Sequence, residues 1–322
     1  MDISQASSLI KQKAKEIGFA ACGIAKAEPV DEKAIAEIEE WLSEGYAAGM
    51  DYMTKNKNLR YDPRELFSGA RSLIVVAMNY YPQQIKESDI TFSYYAYGKD
   101  YHFVVKNYLS LLFKYIEDAV YPELGLKEPL IGRAFTDSAP LMERYWAKKA
   151  GVGFQGRNQL IIVPRVGSFC FLGVLAVNLE LVADEPLQIS CGSCNRCVKA
   201  CPTNALCGVM VDSNKCISYQ TIESHANDIP EDISSMMGTK IYGCDACQLA
   251  CPWNRFAKPT DIAEFIPTKE FLSLDSEQLK NMGIGEFKRM FKGSAIVRAG
   301  LKGLKRNLFS VKNTIDESNC RV

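Results

Sequence analysis

The sequence predicts a mixed α/β domain, then a compact cysteine-rich module, then a helical C-terminal tail. Three observations carry this. Apolar runs of strand length alternate with helical stripes up to about residue 181, nine cysteines crowd between Cys191 and Cys251, and helical spacing returns after Phe256. The 322 residues suffice for about two domains, and 47% hydrophobic with 24% charged residues is an ordinary soluble composition. Lys plus Arg (38) balances Asp plus Glu (38), so overall charge points to no partner. The N-terminus lacks a basic stretch leading into an apolar one, and no window approaches the length of a membrane span. A cytoplasmic protein without membrane contact is expected.

From Ser4 to Ile17, the residues Ala6, Leu9, Ile10, Ala14 and Ile17 share one helical stripe, and Gly18 follows as a natural terminator. A short strand runs from Phe19 to Ile24, and Asp31 opens a second helix ending near Ser43, before Gly45. Leu73 to Met78 is an unbroken apolar run, short enough for a buried strand. Tyr101 to Val120 reads as a long helix closed by Pro122, and Leu141 to Lys149 as a shorter one. Leu160 to Val163 and Phe171 to Leu179 read as strands, with Gly167 and Ser168 turning between them. The expected units are therefore 1–181 (α/β), 182–255 (cysteine-rich) and 256–322 (helical and basic). In the last, Lys288, Arg289, Lys292, Arg298, Lys302, Lys305, Arg306 and Lys312 interleave with apolar residues, and no acid falls between Phe287 and Ile315. Such a helix packs one face and offers the other to a polyanion, or leaves it solvated.

Seven cysteines form two runs, Cys191-x2-Cys194-x2-Cys197-x3-Cys201-Pro202 and Cys244-x2-Cys247-x3-Cys251-Pro252. This is the spacing of a two-cluster ferredoxin, in which the fourth cysteine of a run crosses to the other cluster. The second run is one ligand short, because Ile241 stands where its first cysteine would be. Cys216 is the replacement, with Cys207 its competitor. One 4Fe-4S cluster then takes Cys191, Cys194, Cys197 and Cys251, and the other Cys201, Cys216, Cys244 and Cys247. Structural zinc would leave the proline-terminated fourth cysteines unexplained, and a reducing compartment suits thiolates kept for iron. Cys22, Cys170, Cys207 and Cys320 have no spacing partners and read as small buried apolar residues. The module moves single electrons.

Gly151-Val152-Gly153-Phe154-Gln155-Gly156 matches GxGxxG, but a dinucleotide fingerprint leaves a strand and opens a helix. Here a helix precedes and a strand follows, so the glycines predict a tight turn with close backbone approach. In Arg133-Ala134-Phe135-Thr136-Asp137-Ser138-Ala139-Pro140, Asp137 or Ser138 is placed to cap the next helix. Alternatively, the Asp137 carboxyl is a general acid, if an apolar setting raises its pKa. Asp100-Tyr101-His102 begins like the cobalamin motif DxHxxG, but Val105 holds the glycine position, so a histidine-ligated cobalamin is not expected.

These stretches, with Tyr97 to Lys99, Glu143-Arg144, Arg157-Asn158, Cys216 to Glu223 and Gly243 to Asn254, cover most of the chain to about residue 255. Together they resemble the epoxyqueuosine reductase family. The resemblance implies a nitroreductase-like, cobalamin-binding α/β domain related to reductive dehalogenases, fused to a bacterial two-cluster ferredoxin-like module with a short helical tail. It implies reduction of epoxyqueuosine to queuosine at the wobble position of tRNA, the last step of queuosine biosynthesis. An external low-potential one-electron donor of the flavodoxin or ferredoxin type would feed two 4Fe-4S clusters and, through them, base-off cobalamin. Asp137 would protonate the departing epoxide oxygen, with its pKa raised in a largely dry pocket. As cofactor contacts the resemblance offers Arg60, His102, Arg133, Asp137, Asn158, Ser168, Ser218 and Asp245, in a monomer whose partner is tRNA carrying epoxyqueuosine.

Two departures bear on substrate affinity more than on chemistry. The helical extension is shorter than in many relatives, and Arg157 stands where many carry lysine. The basic tail, with Arg144 and Arg157, is the expected phosphate-binding surface. Three other readings compete: a reductive dehalogenase of a small organohalide, although no twin-arginine signal is present, a ferredoxin-type carrier without catalysis, and a nucleic-acid-binding protein with structural clusters.

Overall fold

A computed structural model describes residues 1–319, with side chains described to residue 311. Cys320 and the side chain of Lys312 lie outside the described residues. The chain opens with α1 (Ile3–Ile17), where Asp2 and Gln5 form a reciprocal capping box and Gly18, at φ 122°, ends the helix. Four strands then build an antiparallel sheet: β1 (Ala21–Lys26), β2 (Ser72–Asn79), β3 (Gly132–Phe135) and β4 (Cys170–Val177), in the order β1-β2-β4-β3. Ile24 faces Ile74, Val75 faces Val174, and Ala134 faces Leu175 across the ladders.

Strands β2 and β4 lie inside the sheet with both faces covered, which is why they read as unbroken apolar runs. On one face Ile10 of α1 and Val105 and Leu109 of α2 (Tyr101–Tyr115) pack on Ile74, Val76 and Leu175. On the other, Trp146 of α3 (Glu143–Lys149) packs on Leu73, Val75 and Val174. Burial pushes the thiols of Cys22 on β1 and Cys170 on β4 up to about 12, an inert state.

Three elements differ from expectation. The long helix is α-helical only to Tyr115, then widens into a π-turn over Ile116–Val120 before Pro122. The strand expected at Leu160 contracts to Ile161–Ile162, paired with Phe154–Gln155 around the glycine turn. Strand β3 carries no apolar run long enough to announce it.

Packing does not divide at residue 255. Phe271, Leu279, Phe291, Ile296 and Leu304 of the tail share one core with Ile217, Ile241 and Tyr242 of the cysteine-rich module and with Ile90, Phe92 and Tyr97 of the first unit. Thr91–Phe92 pairs in parallel with Lys240–Tyr242, stitching the units together. Gly98 lies so close to the tail that any Cβ would collide with the Glu264 carbonyl. Ile241, at the missing cysteine position, is fully buried in this shared core.

Helix α4 (Ile217–Ile222) follows Cys216 and is gripped by α5 (Gly300–Asn319). Asn307, fully buried, donates to the carbonyls of Thr221 (2.9 Å) and Ile241 (2.8 Å). Arg306 donates to the carbonyls of Gln220 (2.6 Å), Ser224 (2.8 Å) and Ala226 (2.8 Å), satisfying the end of α4. Asn307→Ala strands two buried carbonyls and is expected to cost about 2 kcal/mol or more. A thermal midpoint within a degree of wild type would contradict this. Among the described residues no helix is long and apolar enough to cross a membrane.

Candidate active site and cluster sites

Cys191, Cys194, Cys197 and Cys251 line one small pocket, together with Asn158 and Trp253. The Val198 amide points at Cys197, and those of Trp253 and Asn254 at Cys251, donors that favour a thiolate. A second group forms around Cys247, whose thiol is pushed up by burial and then by Cys244, Cys216, Asp245 and Cys201. Cys216 begins α4, where the Tyr219 and Ser218 amides face its sulfur, and the Ala205 amide donates to Cys201 Sγ at 3.3 Å. Cys207 sits instead on the two-residue strand Leu206–Cys207, its thiol directed at the Ala205 carbonyl (3.8 Å). Cys191, Cys194, Cys197 and Cys251 thus stand together, and Cys216 rather than Cys207 is among the neighbours of Cys247. Among the described residues no three His, Cys, Asp or Glu side chains converge on a single ion. A cubane does not require that, because each thiolate binds a different iron.

Several residues expected at a cofactor hold these modules together instead. Ser168 is buried, its amide donating to Asn254 Oδ1 at 2.7 Å and its hydroxyl to Gln248 Oε1 at 3.1 Å. Asp245 is buried too, accepting from the Ser93 hydroxyl and from the Tyr94 amide at 2.8 Å. Both are fully engaged between modules, so neither is carried forward as a cofactor contact. Asn158 faces the first cysteine pocket with Nδ2 unpartnered. Arg157 is also turned inward, donating to the Gly192 carbonyl at 3.0 Å beside Cys191, and Arg144 donates to the Gln159 carbonyl at 2.7 Å. Arg157 is thereby withdrawn from the expected outward phosphate surface, whereas Arg144 stays exposed.

A cleft of about 560 Å³ opens where four parts of the chain meet. Asp100, Tyr101 and His102 enter from the start of α2, Asp137 from the loop after β3, Cys216, Ser218 and Glu223 from the cysteine-rich module, and Arg298 from the tail. Of the eight residues expected at the cofactor, His102, Asp137 and Ser218 line it. Arg60 is buried outside the lining, donating to the Tyr52 carbonyl at 3.2 Å with Nε unpartnered. Arg133 is exposed over the Phe135 ring.

The cleft's polar wall is a connected set. Asp100 caps α2, with Oδ1 accepting the His102 amide at 3.0 Å and facing His102 Nδ1 at 2.7 Å. His102 Nε2 stands 3.4 Å from Asp137 Oδ2, and the Tyr101 hydroxyl donates to the same oxygen at 2.5 Å. The Tyr101 ring stacks between His102 (4.2 Å) and Phe171 (4.3 Å). Asp137 has a left-handed backbone, φ 53°, the sparsely populated conformation that marks functional turns. Its amide donates to Glu143 Oε1 at 2.6 Å, and Lys106 Nζ holds Ser138 Oγ at 2.8 Å.

Two expectations for Asp137 are corrected here. Its side chain does not cap α3, whose N-cap is Met142. Its carboxyl is not raised either: the hydrogen bond from His102 outweighs burial, and Tyr101 adds to it, holding Asp137 below the usual carboxylate range. The protons reside on its neighbours. Burial opposes a charged His102, but the hydrogen bonds to Asp100 and Asp137 raise it to about 9. Burial and then the Asp137 charge raise Glu143 to about 8. Arg298 pairs with Glu223 at 2.8 Å and adds a further positive charge facing Asp137. Sequence reasoning gave no role to Tyr101, Glu143 or Glu223. The position of Tyr101 between Asp100 and His102 in a helix's first turn was the available signal.

A carboxylate, a histidine and a tyrosine meeting a redox cysteine module in one cleft define an oxidoreductase of the iron–sulfur type. Residues 190–254 match the family described as 4Fe-4S double cluster binding domain, and residues 60–138 the one described as Epoxyqueuosine reductase QueG, DUF1730. The epoxyqueuosine reductase of Leadbetterella byssophila is 43% identical over 307 residues, spanning 95% of this chain and 98% of that protein. The chain belongs to the epoxyqueuosine reductase family. An epoxyqueuosine reductase solved with an epoxyqueuosine-modified tRNA-Tyr stem loop superposes with a TM-score of 0.86 at 26% identity, over 99% of this chain and 84% of that one. The Bacillus subtilis structure with its catalytic aspartate loop swung out of the active site gives 0.85 at 26% identity, with the same coverage.

Proposed function

We propose that this protein reduces epoxyqueuosine in tRNA to queuosine, as a cytoplasmic monomer served by an external donor of the flavodoxin or ferredoxin type. One observation carries the reading beyond family membership. Cys216 belongs to the second cysteine group and also lines the cleft that holds Asp137, Tyr101 and His102. Electrons would arrive at the cluster of Cys191, Cys194, Cys197 and Cys251, pass to that of Cys201, Cys216, Cys244 and Cys247, and leave into the cleft.

The residues fit a base-off cobalamin. Both ring nitrogens of His102 face carboxylates, at 2.7 and 3.4 Å, so the cleft offers cobalt no free imidazole. Arg60 Nε is a buried donor without a partner. Ser218, His102 and Asp137 would hold the group, with Arg60 as a candidate beside them, and when bound it supplies the two reducing equivalents at the epoxide carbon. The chain's own part is orientation and proton delivery. Opening the epoxide to an alkene consumes two electrons and two protons and releases water. Asp137, presented on a left-handed turn and hydrogen-bonded to protonated neighbours, would protonate the oxygen.

The substrate's phosphates fall to the exposed lysines that flank the Ser294–Arg298 segment. Lys288, Lys292 and Lys302 are exposed, whereas Arg306 is spent on α4 and Arg298 on Glu223. Replacing those three lysines by glutamine should weaken tRNA binding and flatten the slope of log affinity against log salt by about 2. An unchanged slope would place the phosphates elsewhere. The function itself is tested by anaerobic incubation with cobalamin, a low-potential reductant and epoxyqueuosine-containing tRNA, followed by nucleoside mass analysis. Full iron and cobalamin loading with no queuosine formed would overturn it.

A further inference from the structure

We propose that His102, oriented by Asp100, recharges Asp137 with a proton within each turnover, so that one carboxyl delivers both protons the departing oxygen needs. The inference rests on the proposed reduction. Its motive is stoichiometric. Cleaving the first C–O bond leaves an alkoxide that takes one proton to become a hydroxyl. Cleaving the second forms the alkene and expels that hydroxyl as water, which takes another. The electron pair comes from the one-electron donor by way of the clusters. Asp137 rests ionised and a carboxyl holds at most one proton, so it must be charged with a proton for each of the two steps while the substrate is still in the cleft.

Two groups in the cleft reach the Asp137 carboxylate. The Tyr101 hydroxyl donates to Oδ2 at 2.5 Å, but burial and the Asp137 charge push its pKa far above the ordinary phenol range, so it holds its proton. His102 Nε2 stands 3.4 Å from the same oxygen, and its other nitrogen is fixed at 2.7 Å from Asp100. Asp100 is itself immobilised as the N-cap of α2, and its amide is tied to the Gly293 carbonyl at 2.7 Å. That arrangement keeps a proton on Nδ1 and aims Nε2–H at Asp137, the same logic by which a carboxylate sets the tautomer of a catalytic histidine. Glu143 is not an equivalent source, because Oε1 is occupied by the Asp137 amide rather than by its carboxylate.

The groups around the ring are Asp100 and Tyr101 on α2, Asp137 after β3, Glu143 on α3, and the Glu223–Arg298 pair across the cleft. The side chain is 23% exposed, enough to be reprotonated from solvent between the two bond cleavages as well as after the product leaves.

The chain has two histidines, so NMR of histidine-labelled, cobalamin-free protein with oxidised clusters resolves His102 once His225→Gln identifies the other signal. His102 is expected to stay protonated to about pH 9 and to lose part of that shift in Asp100→Asn. A ring that titrates at the ordinary value in wild type overturns the proposal. Pre-reduced single-turnover rates supply the second readout. Wild type should lose rate through an alkaline limb set by His102. His102→Gln should turn over at least tenfold slower with that limb abolished, Asp100→Asn should shift the limb to lower pH, and Tyr101→Phe should retain it. His102→Gln with the wild-type rate and limb sinks the relay. If that variant fails to load iron, Asp100→Asn decides, and an unmoved limb there is equally fatal. A wild type that forms no queuosine at all would strike the proposed function rather than the relay, since the NMR titration would still stand.

Discussion

Asp137→Asn is expected to lower single-turnover conversion of epoxyqueuosine by on the order of 10²–10⁴-fold, the usual contribution of a positioned general acid. Iron content should change little. Asparagine keeps the shape and can still accept the Tyr101 hydroxyl, which donates to Asp137 Oδ2 at 2.5 Å, but it carries no transferable proton. Full activity in a cobalamin-loaded, pre-reduced variant would remove Asp137 from the reaction. The substitution also leaves His102 with one carboxylate partner rather than two. His102 has a folded pKa of about 9, above its unfolded value, so its share of stability is present at neutral pH and lost as pH rises through that value. In Asp137→Asn that alkaline loss should be smaller and complete at lower pH, visible as a shallower fall in the thermal midpoint.

Cys216→Ser is expected to remove one cluster, so that iron per chain falls by about half. Conversion driven by an external reductant should then be abolished, because the other cysteine group, Cys191, Cys194, Cys197 and Cys251, lines the pocket beside Trp253 rather than the cleft. Cys207→Ser is the internal control and should leave iron and activity intact, since its thiol only faces neighbouring carbonyls. Loss of iron in Cys207→Ser with retention in Cys216→Ser would reverse the ligand assignment.

The closeness of Cys191, Cys194 and Cys197 was legible because their spacing is local, whereas Ile241 proves to be a buried core residue. The central strands were legible because burial on both faces leaves an unbroken apolar signature in Leu73 to Met78. Strand β3 was not, since it is a four-residue edge with Arg133 exposed on it. The inward roles of Arg157 and Arg306 escaped for another reason. A charge count reads any arginine as surface, and only tertiary structure reveals that their partners are the carbonyls of Gly192 and of the end of α4. The ionisation of Asp137 escaped likewise, because Tyr101 and His102 approach it from about 35 residues away along the chain.

The grip of Asn307 and Arg306 on α4 has a bearing on protein engineering. Exchanging C-terminal tails between relatives is an obvious engineering route, and the sequence invites a junction near residue 255. A chimera cut there would withdraw the donors that hold the helix following Cys216. The graft would disturb the segment that carries Cys216 along with exchanging the tail. A junction placed beyond Val311 leaves Arg306 and Asn307 with the helix they hold, and with them the exposed Lys288, Lys292 and Lys302 of the host.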